Sequence, residues 1–253
     1  MIIFHYDKTL EGLFTAVFDA YSRKIFPDKL LAENEQLPLF VTDTHMVITD
    51  NEKAARVWAG LEKKASKIVC NMLVRVWLSE EPGSDELMFR YIRKIFETPY
   101  DVFMDFSDPD ILEVKKLAKK VSSEGEHIRQ FVRFQKTSDG SYFAPIAPKF
   151  NALPLAIGYF KDRFADQVWL IYDTKRKYGY YYDLKKVVEV TLQDDGHLVT
   201  GKLNDELIAE DEKLFQELWK GYFKALTIKE RINLKLQRQH MPQRFWKYLT
   251  EKQ

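Results

Sequence analysis

The chain holds one cysteine, Cys70, in 253 residues. No intrachain disulfide can form, which fits a reducing compartment. One cysteine and five scattered histidines cannot supply a paired-cysteine zinc site, and the chain's own thiolates cannot hold an iron–sulfur cluster. No apolar run approaches the roughly 20 residues of a membrane-spanning helix. The opening stretch Met1–Asp7 lacks the basic start and long apolar centre of a signal peptide. These absences predict a soluble, cytoplasmic protein with no membrane partner and no metal or cofactor of its own. An excess of one charge is missing too: 39 Lys and Arg against 38 Asp and Glu leave +1. Overall charge therefore says nothing about a polyanion, and any such argument must rest on local clustering. The phosphate-cradling GxxxxGK[ST] and GxGxxG patterns are absent, as are GxSxG, HExxH and the zinc-deaminase signature. An enzyme with dispersed catalytic groups is still open.

What is present is ample core-forming material, 45% hydrophobic and 14% aromatic. Ile2–Tyr6 reads as a strand. Thr9–Phe26 places Leu10, Leu13, Phe14, Val17, Phe18 and Tyr21 at helical spacing, with Asp7 or Thr9 as cap and Pro27 as stop. Leu37–Ile48 contains an extended piece. Helices are expected over Asp50–Lys64, Ser66–Leu78, Asp85–Phe96 and from Pro109 to about Val121. Gln130–Gln135 alternates and returns through Tyr142–Ile146 after a Ser-Asp-Gly-Ser turn, a hairpin signature. Leu153–Ala165 reads as helix. Gln167–Tyr172 and Tyr178–Tyr182 form a second hairpin, Val187–Leu192 adds a strand, and the tail from Asp205 is helical with a break at Pro242. The predicted class is α+β: an antiparallel sheet from two hairpins separated by a helix, flanked by N-terminal and C-terminal helices. With no linker composition or repeat, one domain over 1–253 is expected, with a weak seam near 105–110.

Three clusters could carry chemistry. Glu124 and Glu126 stand just before His127, which makes His127 a candidate general acid–base; a helix end with a satisfied histidine is the alternative. Beside it, Arg133 sits between aromatic residues and needs an anion or a buried partner such as Asp173. The second cluster runs from Arg163 through Trp169, Asp173 and Arg176, with aromatics interleaved with basic residues as in single-strand binding; an amphipathic hairpin with a charged tip is the plainer alternative. The run Tyr178-Gly179-Tyr180-Tyr181-Tyr182 is suggestive on the same terms. The third is the tail, where Lys229–Lys247 carries six cationic residues and one acidic one. Arg238 and Arg244 are candidate phosphate ligands there, with Gln239, His240 and Trp246 in support. Cys70 reads as an inert core thiol, and His5, His45 and His197 as structural or surface residues.

The tail string Leu236–Leu249 resembles the C-terminal signature of the bacterial "probable DNA metabolism protein" family. So do Asp7-x-Thr9-x-Glu11-Gly12-Leu13, His127 with Phe131-Val132-Arg133-Phe134, Tyr159-Phe160-x-x-Arg163-Phe164, and Trp169-x-Ile171-x-Asp173-x-x-Arg176. The resemblance spans nearly the whole chain and implies a domain of unknown function. In some relatives it precedes a uracil-DNA-glycosylase-like domain, and in others it stands alone beside a radical-SAM protein. Because the chain ends soon after the tail motif, the stand-alone form without glycosylase activity is expected. The leading reading is an accessory protein of DNA repair or modification that binds DNA, a radical-SAM partner, or both. An alternative is a metal-independent enzyme on a nucleotide or damaged base, with His127 as acid–base and Arg133, Arg163 and Arg176 clamping phosphate. A scaffold without ligand is the third.

Overall fold

A computed structural model describes residues 1–192 and 207–252 and divides the chain into two compact units, Met1–Val121 and Ser122–Gln253. In the first unit, strand β1 (Ile2–Tyr6) leads into helix α1 (Leu10–Arg23), followed by β2 (Lys29–Ala32) and β3 (Asp43–Met46). Helices α2 (Asn51–Lys64), α3 (Lys67–Trp77) and α4 (Ser84–Glu97) complete it, together with the first half of α5 (Pro109–Phe131). The expected caps form: Thr9 accepts from the Gly12 N–H, Asp50 from Glu52 and Lys53, and Ser66 from Val69. Each satisfies donors that a helix start leaves open.

The sheet of this unit departs from expectation. Its order is β2-β1-β3, and both neighbours run parallel to β1. Parallel partners are joined by long crossovers, so no hairpin turn announces them, and the short Lys29–Ala32 strand carries no signal of its own. The apolar faces of α1 to α4 pack with Phe4, Tyr6 and Leu30 of this sheet into one core that includes Leu13, Val17, Leu73 and Ile92. Cys70 is free and buried in it, as expected.

The opening motif is structural. Lys8 adopts φ 56, and Asp7 turns back to accept from the Thr9 N–H at 3.0 Å and from the Thr49 hydroxyl at 2.8 Å. A Cβ on Gly12 would stand 2.2 Å from Asp7 Oδ1, so this close approach requires glycine. Lys8 and the Tyr6 hydroxyl both donate to the buried Asp85.

In the second unit, the remainder of α5 is followed by β4 (Gln135–Lys136), β5 (Tyr142–Ile146), α6 (Ile157–Arg163), β6 (Trp169–Asp173), β7 (Tyr178–Tyr182) and β8 (Val187–Val190). Helices α7 (Glu210–Leu226), α8 (Leu234–His240) and α9 (Gln243–Trp246) close the chain. The α+β class holds, and both hairpins form. However, the sheet β4-β5-β6-β7-β8 is mixed rather than antiparallel, because β5 and β6 pair in parallel across the α6 crossover. The first hairpin is also shorter than its pattern suggested. Helix α5 runs on through Phe131, leaving only Gln135 and Lys136 paired. Glu124, Ile128 and Phe131 are buried at helical spacing, and that longer period overrides six alternating residues. The Leu153–Ala165 helix begins as a 3₁₀ turn, Leu153–Leu155, before α6. His197 and the expected helix start at Asp205 lie outside the described residues. Among the described residues, no helix is long and apolar enough to cross a membrane.

A titratable pair in the first unit yields a test. The buried Asp19 accepts from His45 Nε2 at 2.9 Å and from Lys53 Nζ at 2.8 Å. Burial alone would raise its pKa, but the bonds from Lys53 and His45 overcome this and hold the carboxyl below its ordinary value. A depressed carboxylate contributes stability that is complete above its unfolded pKa and lost as pH falls through the folded one. Asp19→Asn should therefore destabilise the protein by about 1–3 kcal/mol near pH 7. The penalty should shrink below the usual aspartate range, as read by urea melts at several pH values. A penalty that does not change with pH would refute this account.

Candidate functional site

Several predicted site residues converge on one ionic network in the second unit. Glu124 keeps only 2% of its side chain exposed. It receives Arg244 through Nε at 2.9 Å and through Nη2, and Lys149 donates its backbone N–H at 2.6 Å. On the far side of the same loop, Arg176 donates to the carbonyl oxygens of Pro148 at 3.2 Å and Lys149 at 3.1 Å. Arg176 also pairs at 2.8 Å with Asp173, which is fully buried at the end of β6 and caps the hairpin turn through the N–H groups of Lys175 and Arg176. Burial raises the Asp173 pKa even with Arg176 beside it. The Thr174 and Tyr248 hydroxyls meet at 3.2 Å and bring the tail to the same turn. Arg176 and Arg244 are therefore committed to buried carboxylates, and Arg133 pairs elsewhere than with Asp173.

His127 borders this network. Its Nδ1 is 3.5 Å from Glu124 and makes no hydrogen bond among the described residues, and its ring stacks on Phe131 and meets Phe245 edge-on. The tyrosine run builds the sheet: Tyr178 donates to Asn151, Tyr180 to Glu189, and Tyr182 to the Leu184 carbonyl.

A second arrangement lies between the end of α5, α6 and α7. Arg129 of α5 and Arg133 just after it, Tyr159 and Arg163 of α6 with Phe164 just after it, and Phe215 and Trp219 of α7 line a groove of about 780 Å³. Phe134 also lines it and packs edge-on against Phe160 and Phe164, within reach of the buried Trp169. Arg133 reaches Glu251 at 2.9 Å, and Trp219 Nε1 donates to the same carboxylate at 3.0 Å. Burial opposes ionisation of Glu251, yet these donors and its own N–H hold its pKa low. Arg129 binds Glu126 and the Leu155 carbonyl, each at 2.7 Å. Among the described residues, the buried Nε atoms of Arg129 and Arg133 have no partner. Arg163 is exposed, and among the described residues it has no ion-pair or hydrogen-bond partner.

The groove thus gathers Arg133, Arg163 and Phe134 of the predicted site, with Trp169 beneath. His127, Asp173, Arg176 and Arg244 belong to the network instead. Arg238, Gln239 and His240 stand exposed on α8, and His240 borders a separate 510 Å³ recess. Trp246 is tied down by donating to the Met241 carbonyl at 2.9 Å. Arg129, Tyr159, Phe215, Trp219 and Glu251 were missed as site residues. The four-residue spacing of Tyr159 with Arg163 carries a signal only once that segment is known to be helical. Among the described residues, no three His, Cys, Asp or Glu side chains are placed to hold a metal ion.

Residues 82–251 match the family model described as a domain of unknown function, DUF4130. The chain belongs to the DUF4130 family. The matched stretch of DUF4130 contains every residue of the network and of the groove. No curated protein matches the chain. Among solved structures, the chain is similar to a pGpG-specific phosphodiesterase, PggH from Vibrio cholrae, at 12% identity over 88% of this chain and 99% of that one. The TM-score is 0.33, too low to transfer fold or chemistry.

The different surroundings of Arg244 and Arg238 separate their effects. Arg244→Ala strands a buried carboxylate and should cost about 3–5 kcal/mol. Arg238→Ala, at an exposed site, should stay within about 0.5 kcal/mol. Urea denaturation of both variants checks this, and equal losses would contradict the network.

Proposed function

We propose that this DUF4130 chain is an accessory protein of DNA metabolism that binds single-stranded nucleic acid in the α5–α6–α7 groove. The observation that carries this reading is Arg163: an exposed guanidinium with no partner among the described residues, beside an aromatic wall. Backbone phosphate takes the fork of Arg163. Bases stack on Tyr159, Phe215 and Trp219, which are 43%, 58% and 40% exposed. Such stacking contributes about 1–3 kcal/mol per base and tolerates any sequence. The volume suits one or two nucleotides rather than a duplex. The resemblance to the probable DNA metabolism family points to the same partner class. His127 lies outside the groove, so this reading assigns it no acid–base role. Radical or excision chemistry would come from a partner enzyme, a radical-SAM protein in this reading, in a cytoplasmic setting.

Fluorescence anisotropy with labelled single-stranded and duplex DNA at low salt tests the groove. Single strands should bind more tightly, and Arg163→Ala and Tyr159→Ala should each weaken binding about 10-fold, the cost of one phosphate or one stacked base. Arg163→Ala should also reduce the salt slope by about 0.7. Arg238→Ala should leave affinity within about 2-fold, because a side chain outside the groove contributes only screened long-range attraction. Absence of binding at low salt, or equal losses in all three variants, would overturn the reading. Co-purification with the radical-SAM protein tests the partner separately.

A further inference from the structure

Helix α7 sets Glu212, Phe215, Gln216 and Trp219 at i, i+3, i+4 and i+7, which is one face of a helix. All four line the groove. The aromatic pair offers ring faces to a base. The polar pair decides what the edge of that base meets.

The polar pair is fixed in place. Glu212 Oε2 accepts the Lys136 backbone N–H at 3.1 Å, and Gln216 Nε2 donates to Glu212 Oε1 at 2.9 Å. This bond sets the amide orientation, because a flipped amide would put its oxygen against a carboxylate oxygen. Gln216 therefore turns its carbonyl oxygen away from Glu212, and among the described residues no donor meets that oxygen. Each Glu212 oxygen keeps a second lone pair. The Trp219 indole N–H, on the same face, is spent on Glu251 at 3.0 Å. What remains on this face is acceptor capacity on three oxygens, two of them charged, against one amide hydrogen of Gln216. Hydrogen bonds to an ionised acceptor are about twice as strong as neutral ones, so the carboxylate dominates the choice.

The same carboxylate orients a strand. A phosphate beside Glu212 would meet like charge, whereas Arg163 stands on the α6 wall. Phosphate thus lies with Arg163, and the base edge turns toward α7. Stacking is indifferent to sequence, but an acceptor-rich edge is not. Cytosine and adenine present an exocyclic amine, and guanine presents one beside an imino N–H. Thymine and uracil present an imino N–H between two carbonyl oxygens, which Glu212 and Gln216 would oppose.

We propose that the α7 wall makes the groove selective for amino-bearing bases, with Glu212 and Gln216 accepting from the exocyclic amine, and against thymine and uracil. This inference rests on the groove being a single-strand site.

Fluorescence anisotropy of the full chain with labelled oligo-dC and oligo-dT of equal length, at low salt and neutral pH, tests it. The two pyrimidines have closely similar ring faces and differ in their edges. Oligo-dC should bind about 10-fold more tightly, the effect of one base-edge contact. Glu212→Gln adds donors at the same size and should bring the two strands within about 2-fold by raising affinity for oligo-dT, a gain that damage to the fold would not produce. Arg163→Ala should weaken both strands by a similar factor and keep their ratio, because it acts on phosphate. Equal binding of oligo-dC and oligo-dT by the unaltered chain overturns the base preference and leaves the strand-binding reading standing. A preference that survives Glu212→Gln overturns the role of Glu212. Binding of neither strand overturns the strand-binding reading and this inference with it.

Discussion

Glu124 is a carboxylate removed almost wholly from water, and a charge in that position is tolerated only when its lone pairs are matched. Arg244 supplies two donors and the Lys149 N–H a third. Because those donors come from α9 and from the loop after β5, satisfying one charge positions three separated segments. The loop is held again from its carbonyl side by Arg176, whose own position depends on the buried Asp173. The second unit is therefore organised around two buried carboxylates, each with its arginine, on either side of one short loop. Truncating a member would leave a charge without a partner, which explains why these residues stand out in the sequence without being exposed to a ligand.

The division among the arginines follows from this. Arg176 and Arg244 neutralise buried acids. Arg129 and Arg133 are partly engaged, each with an inner nitrogen left over, and Arg163 is open. A motif reading cannot tell Arg133, Arg163, Arg176 and Arg244 apart because a guanidinium has the same chemistry wherever it stands. Burial of the neighbouring carboxylate decides which of them is committed to an ion pair. Glu251 does the same for Trp219: by accepting its N–H it orients the indole on the groove wall while it holds Arg133.

Local signals were sufficient where the physics is local. Caps at Thr9, Asp50 and Ser66, the Ser-Asp-Gly-Ser turn and the two hairpins were legible because each depends on residues within a few positions of one another. The α+β class followed from their order. Pairings between distant segments were not legible: the parallel β2-β1-β3 sheet and the β5–β6 pair leave no turn chemistry between the strands. The extension of α5 to Phe131 was hidden because Phe131-Val132-Arg133-Phe134 suits a strand locally, and only burial of Glu124 and Ile128 on one face shows the longer period.

The sequence by itself determined the inventory: a single inert thiol, no phosphate-cradling or metal motif, a balanced charge with a basic tail, and the arginines and aromatics from which any site had to be drawn. It also determined the order of helices and hairpins, since propensity, capping and periodicity act over a single element. Tertiary structure alone decided which arginine faces which carboxylate. It moved Arg244 from the basic tail into a buried pair, and it gathered Arg129, Arg163, Tyr159 and Trp219 from three helices, with Arg133 from the segment after α5, into one groove. The physical reason is that desolvation and ion pairing depend on distance in space, and residues separated by more than a hundred positions, such as Glu124 and Arg244, carry no mark of that distance in the sequence.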